Sequence, residues 1–215
     1  ISGLHFHVMC EQDSYVLERV LKVVEEKFSH LLKQVQWLNM GGGHHITRAD
    51  YKPDHLIALL KDFKSRYPNL KIILEPGEAV GWRTGFLLAT VLDVVESGGI
   101  KTAILDVSFS AHMPDTLEMP YKPVITGAGE PDELPFKYRM GGSTCLAGDF
   151  YGDYSFLHEL KPGDRIEFED MIHYTMVKTT LFNGVRHPHI GKIDCDGKFT
   201  LLRSVGYEEY KKRLS

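Results

Sequence analysis

Between Leu4 and Glu75 three short apolar segments alternate with two longer ones whose apolar residues recur every three or four positions. Leu4–Met9, Val35–Met40 and Lys71–Glu75 read as strands. Ser14–Leu32, with Val16, Val20, Val23, Val24, Phe28 and Leu31, and Asp54–Arg66, with Leu56, Leu59, Leu60 and Phe63, read as amphipathic helices. Strand–helix–strand–helix–strand leaves the strands parallel, because each helix returns the chain to the same end of the sheet. An α/β barrel or an open parallel sheet satisfies that pattern.

The rhythm changes after Gly81. Phe86–Glu96 and Lys101–Val107 are strand-like and flank Ser97-Gly98-Gly99, a hairpin turn. Leu146–Phe150, Arg165–Phe168 and Phe199–Arg203 are further strand candidates, and Tyr207–Leu214 reads as a closing helix. The expected division is an α/β part over 1–80, a β domain over 81–206 and a terminal helix over 207–215.

The three cysteines, Cys10, Cys145 and Cys195, form no CxxC pair, which fits free thiols in a reducing cytosol. A net charge of −4 with no basic run argues against nucleic acid as a partner. No apolar run approaches the roughly 18–20 residues that span a bilayer, so no membrane association is expected. The chain opens on Ile1 without Met and enters a strand almost at once. The expectation is that further residues precede it.

Several segments could carry chemistry. Gly41-Gly42-Gly43 follows a strand and precedes a helix, where backbone N–H groups can hold a phosphate; a flexible turn has the same composition. Glu75-Pro76-Gly77 ends a strand, where a carboxylate could pair with a protonated ring nitrogen or simply mark a turn. His5 and His7 alternate and share a face, so His7 could lie flat on an aromatic group. Together with His44-His45 and His187/His189 they raise a metal site, but no HExxH-type pattern accompanies them and no metal is expected. Cys145, in Gly141-Gly142-Ser143-Thr144-Cys145-Leu146-Ala147-Gly148-Asp149, could donate a proton, or lie in an ordinary turn. The Tyr174 hydroxyl could complete a phosphate site, or the ring could pack in a core.

The order of these segments is more specific than any one of them. A strand with His7-x-x-Cys10, then GGG, EPG, GGSTCLAGD and a Tyr ahead of Phe182-Asn183-Gly184 resembles the fold-type III pyridoxal-phosphate decarboxylases, a group that includes ornithine, arginine and diaminopimelate decarboxylases. The strings HFHVMCEQ, LNMGGGHHIT, EPGEAVGW and LDVSFSAHMPDTLEMPYKP resemble the members acting on carboxynorspermidine and carboxyspermidine. The resemblance implies the C-terminal part of a (β/α)8 barrel binding pyridoxal 5'-phosphate, followed by a β-barrel-like domain, in a homodimer with shared active sites. It implies His7 stacked on the pyridine ring, Cys10 where relatives place a phosphate-contacting Ser, Gly41, Gly42 and Gly43 on the phosphate, and Glu75 on the ring nitrogen. It further implies Tyr174 on phosphate and Cys145 at the partner subunit's site.

The family's cofactor-anchoring lysine stands on the first barrel strand, ahead of Ile1, and no lysine present matches its motif. A non-catalytic pseudoenzyme is therefore one alternative reading, and a diaminopimelate decarboxylase is another. Relatives commonly carry Arg after EPG where this chain has Glu78, and Asp115 and Glu118 lie where an Arg would grip a distal carboxylate. Carboxylates there suit a substrate with a cationic far end, a carboxylated polyamine. Glu78, Asp115, Glu118 and Asp149 are the expected substrate contacts.

Overall fold

Gly3–His5 (β1), Trp37–Asn39 (β2) and Lys71–Ile73 (β3) pair in parallel in the order β1-β2-β3. Ser14–Leu32 (α1) and Pro53–Arg66 (α2) make the crossovers that parallel pairing demands. The computed structural model describes residues 1–215, in two compact units, Ile1–Trp82 and Arg83–Ser215. Helix α1 starts at Asp13, whose Oδ1 accepts the N–H groups of Tyr15 and Val16, both at 3.0 Å. Pro53 opens α2, where its missing N–H costs no helical hydrogen bond.

The first core holds Leu17, Leu21, Leu32, Leu38, Met40, Phe63 and Leu70, all nearly inaccessible to solvent. The buried face of α1 therefore runs along Leu17, Leu21 and Leu32, whereas Val23 and Phe28 are exposed. Val16 and Val24 pack against the same core from its margin, so the buried face is centred on the leucines and flanked by part of the valine set. The strands are shorter than their apolar runs: β1 stops at His5, although Phe6 N–H still reaches Asn39 O at 3.0 Å. Gly77–Gly81 (α3) follows directly after the EPG turn.

In the second unit Phe86–Ser97 (β4), Ile100–Leu105 (β5), Phe136–Gly141 (β6), Phe150–Phe156 (β7) and Arg165–Glu169 (β8) form one sheet in the order β7-β6-β5-β4-β8. Strand β4 pairs with β8 through Phe86–Thr90 and with β5 through Val91–Ser97, the register slipping between Val91 and Asp93. Such an irregularity sharpens twist and curls the sheet. The β4–β5 turn sits on Gly98 and Gly99, at φ 58° and 78°, the backbone region a tight two-residue hairpin requires at both positions.

β5 and β6 are parallel, and their connection carries Phe109–His112 (α4) and Pro114–Glu118 (α5). Tyr174–Val177 (α6) and a single 3-10 turn at Phe182–Gly184 follow the sheet. Ile190–Ile193 (β9) and Phe199–Arg203 (β10) form a separate antiparallel pair, and Tyr207–Leu214 (α7) closes the chain. Phe109, Met113, Tyr138, Met140 and Phe168 centre the second core.

The expected strand over Leu146–Phe150 is not formed. Residues 142–149 are a loop gathered around the Asp149 carboxylate, and β7 begins at Phe150. Strands β6 and β9 lie outside the expected elements. Strand β6 alternates buried Tyr138 and Met140 with Lys137 and Arg139, a period-2 signal diluted by its two cations.

Candidate active site

Parallel register assembles the site in the first unit. His5 pairs with Asn39 and Asn39 with Ile73, so two residues further along each chain stand His7, Gly41 and Glu75, just beyond the C-terminal strand ends. The ladder persists there, with Glu75 N–H donating to Gly41 O at 2.9 Å. Parallel α/β sheets bind ligands at this end because the strand-to-helix loops converge on it.

The glycine loop lies flush against the neighbouring backbone. A Cβ on Gly41 would sit 2.5 Å from Phe6 O, and one on Gly43 would sit 2.1 Å from Met9 O. Both residues have positive φ, 72° and 77°, which adds strain for any other residue. A Cβ on Gly42 would meet Glu75 O at 2.6 Å and His7 Cε1 at 3.2 Å, so all three motifs converge here.

Asn39 organises the polar groups. Its Nδ2 donates to Glu75 Oε1 at 2.6 Å, and its Oδ1 accepts the Gly41 N–H at 2.9 Å. Glu75 Oε2 lies 3.8 Å from His5 Nε2. The Gly42 N–H approaches His7 Nδ1 at 3.4 Å, making that nitrogen the acceptor and placing the proton of a neutral ring on Nε2. His5, His7 and Glu75 also bring one ligand atom each within 4.8 Å of one another, a donor set of the kind that holds transition metals. With Nδ1 facing an N–H donor, however, His7 offers Nε2–H, which suits stacking or donation better than ligation.

Behind the loop, His44 and His45 are buried, and none of their ring nitrogens has a hydrogen-bond partner within the chain. Burial holds the His44 imidazole below its usual range. Unpaired buried polar atoms are costly. Glycines that permit close approach and an exposed acid with its orienting amide fit a phosphorylated heteroaromatic cofactor. The Cys10 thiol is exposed, and the residue's carbonyl accepts from Gln12 Nε2 at 2.7 Å. Glu78 occupies the first turn of α3.

The other expected site residues belong to the second unit. Cys145 is exposed, and Asn183 Nδ2 lies 3.1 Å from its sulfur. Tyr174 is half exposed at the start of α6. The Lys178 ammonium stands 5.7 Å from the centre of the Tyr174 ring and joins Asp115 Oδ1 at 2.5 Å and Glu118 Oε2 at 2.9 Å. The hydrogen bonds to Asp115 and then Glu118 push the Lys178 ammonium well above the ordinary lysine range. Asp115 and Glu118 thus already hold an alkylammonium, one supplied by the chain itself.

Asp149 requires a correction. Expected at the substrate, it is buried, and both its oxygens are engaged: Oδ1 accepts Ser108 Oγ and Ser110 N–H, each at 3.0 Å, and Oδ2 accepts Thr144 N–H at 2.9 Å and Thr144 Oγ1 at 2.6 Å. Burial pushes its carboxyl upward, but the bonds from Thr144, Ser110 and Ser108 outweigh that and hold it below the ordinary carboxylate range. Gly142 leaves room for this, since a Cβ there would fall 2.4 Å from Oδ2. Asp149 shapes the loop that presents Cys145.

Asn39 escaped the reading of the sequence, although it stands two residues ahead of the glycines in Leu38-Asn39-Met40-Gly41. A polar residue in an otherwise apolar strand end was the available signal.

Residues 14–172 match the family model described as the pyridoxal-dependent decarboxylase C-terminal sheet domain. The chain is 53% identical over 214 residues to a carboxyaminopropylagmatine decarboxylase of Synechocystis, covering 100% of this chain and 55% of that relative. It is 46% identical over 224 residues to a carboxynorspermidine/carboxyspermidine decarboxylase of Campylobacter jejuni, covering 99% of this chain and 58% of that one. The crystal structure of carboxynorspermidine decarboxylase with norspermidine from Campylobacter jejuni superposes with a TM-score of 0.91 at 46% identity, covering 99% of this chain and 60% of that chain. The chain therefore spans little more than half the length of these curated relatives.

Proposed function

Because the chain belongs to the pyridoxal-dependent decarboxylase family, we propose that its protein binds pyridoxal 5'-phosphate and removes the α-carboxylate from a carboxylated polyamine, carboxynorspermidine or carboxyspermidine. The observation that carries this is the row of His7, Gly41–Gly43 and Glu75 across three parallel strand ends, with Glu75 bonded to Asn39.

The glycine loop holds the phosphate, with the Gly43 N–H as a donor, His7 lies against the pyridine face, and Glu75 keeps a proton on the ring nitrogen. Pyridoxal phosphate, when bound, supplies the electron sink for the negative charge left at the α-carbon as carbon dioxide departs. The family pattern assigns Tyr174 to the phosphate and Cys145 to returning a proton to that carbon at the partner subunit's site. Loss of carbon dioxide with uptake of one proton yields norspermidine or spermidine. Glu78 takes the cationic tail. The protein acts as a cytoplasmic homodimer, consistent with three free, exposed thiols.

A second substrate has its own support. A relative with 53% identity is named for carboxyaminopropylagmatine, whose far end differs from a triamine's. Steady-state turnover of the three carboxylated substrates and diaminopimelate tests the proposal. The expected result is a kcat/KM at least about 100-fold higher for one carboxylated polyamine than for diaminopimelate, with Glu78→Gln lowering only the former, by about tenfold. A preference for diaminopimelate would refute the substrate assignment. A full-length protein that retains no visible absorption once unbound cofactor has been dialysed away would instead be the non-catalytic pseudoenzyme.

A further inference from the structure

Asn39 is the last residue of β2, and its amide faces two ways at once. Nδ2 donates to Glu75 Oε1 at 2.6 Å while Oδ1 accepts from Gly41 N–H at 2.9 Å. One short side chain thus bridges the acid and the glycine loop. The register fixes it there, since Asn39 lies between His5 on β1 and Ile73 on β3, one row before His7 and Glu75.

We propose that Asn39 is a positioning residue that sets Glu75 for the ring nitrogen and the glycine loop for the phosphate as a single unit. This rests on the cofactor reading above. The Glu75 side chain is 51% exposed and would otherwise sample many rotamers. A hydrogen bond to Oε1 removes that freedom before binding and leaves Oε2 outward, 3.8 Å from His5 Nε2. The bond to Gly41 commits one loop N–H to structure, and the Gly42 N–H faces His7 Nδ1 at 3.4 Å, so the Gly43 N–H is the loop donor turned to the phosphate.

Only an amide serves both bonds on so short an arm: a carboxylate lacks the donor, and a hydroxyl of Ser lacks the reach. An Asp at this place would set two carboxylates against each other, able to form the bond to Glu75 only while they share a proton. A like charge at such close range raises the pKa of one carboxyl of the pair. A pH-dependent defect therefore separates positioning from mere packing.

The experiment is titration of pyridoxal 5'-phosphate into purified wild-type, Asn39→Leu and Asn39→Asp proteins from pH 5.5 to 8.5, followed by tryptophan fluorescence quenching. Asn39→Leu is expected to weaken binding about tenfold at every pH. Asn39→Asp is expected to bind within about twofold of wild type at pH 5.5 and about tenfold more weakly at pH 8.5. Leucine at wild-type affinity, or an Asp-to-wild-type ratio that does not change with pH, overturns the proposal. If wild type binds no cofactor, the functional reading falls and this inference with it; if wild type binds and both variants match it, only this inference falls. Should the leucine variant not fold, as judged by circular dichroism, the near-isosteric aspartate variant decides alone.

Discussion

Ser108 Oγ donates to Asp149 Oδ1 at 3.0 Å, joining the N-cap of α4 to the last residue of the loop that carries Cys145. The same hydroxyl accepts the Ala111 N–H at 3.0 Å, so one serine both starts the helix and anchors the carboxylate. Removing the carboxylate strands the donors of Ser108, Ser110 and Thr144 in a poorly solvated place. Asp149→Ala is expected to cost about 2–4 kcal/mol, and Ser108→Ala about 1–2 kcal/mol, by urea denaturation. If Asp149→Ala unfolds at the wild-type urea concentration, the loop is not organised in this way.

His112 gives a defined pH window. Its ring is buried, with Nδ1 accepting from Ser108 N–H at 3.1 Å, and burial first and His187 second push it down to about 4 from an ordinary 6.5. Above pH 6.5 the imidazole is neutral in both folded and unfolded chains and contributes no pH dependence. Below it the unfolded chain takes up a proton that the folded one refuses, so stability falls as pH drops from 6.5 toward about 4. This group alone is expected to remove about 2 kcal/mol between pH 7 and 5. Urea curves at the two pH values, for wild type and His112→Leu, check it: an unchanged slope in the variant would discount His112.

Two glycines give a contrast. Gly43→Ala forces a Cβ to 2.1 Å from Met9 O at a φ of 77° and is expected to cost roughly 2–4 kcal/mol and most of the cofactor affinity. Gly77→Ala meets nothing within 4 Å and is expected to stay within about 0.5 kcal/mol of wild type. Thermal melts and a cofactor titration measure both, and equal effects at the two sites would contradict the close-packed loop.

Lys178→Met leaves Asp115, 8% exposed, facing Glu118 without a cation. The variant is expected to unfold at a lower urea concentration than wild type at pH 7. Adding Asp115→Asn should restore part of that loss. Equal losses for the single and double variants would leave Lys178 with a purely packing role.

Much of the fold is written locally. Apolar periodicities mark α1, α2 and the three parallel strands, and the glycine pair at 98–99 marks a hairpin. Each of these depends on residues within a few positions of one another. The centre of the buried face of α1 is less legible, because apolar residues surround much of the helix and the sheet covers Leu17, Leu21 and Leu32 while leaving Val23 and Phe28 exposed. The apolar residues of Leu146–Phe150 suggest a strand because they say nothing of the adjoining Asp149 carboxylate that four donors enclose.

The sequence by itself determined which groups reach the site: glycines with no Cβ, an acid and an imidazole, each at a strand end. Only tertiary structure decided their partners. Asn39 meets Glu75 across 36 positions, Ser108 meets Asp149 across 41 and Lys178 meets Asp115 across 63. Strand register and packing set such pairs, and a hydrogen bond exists only when two atoms arrive within about 3 Å of each other in the right direction. Chain order does not encode that distance.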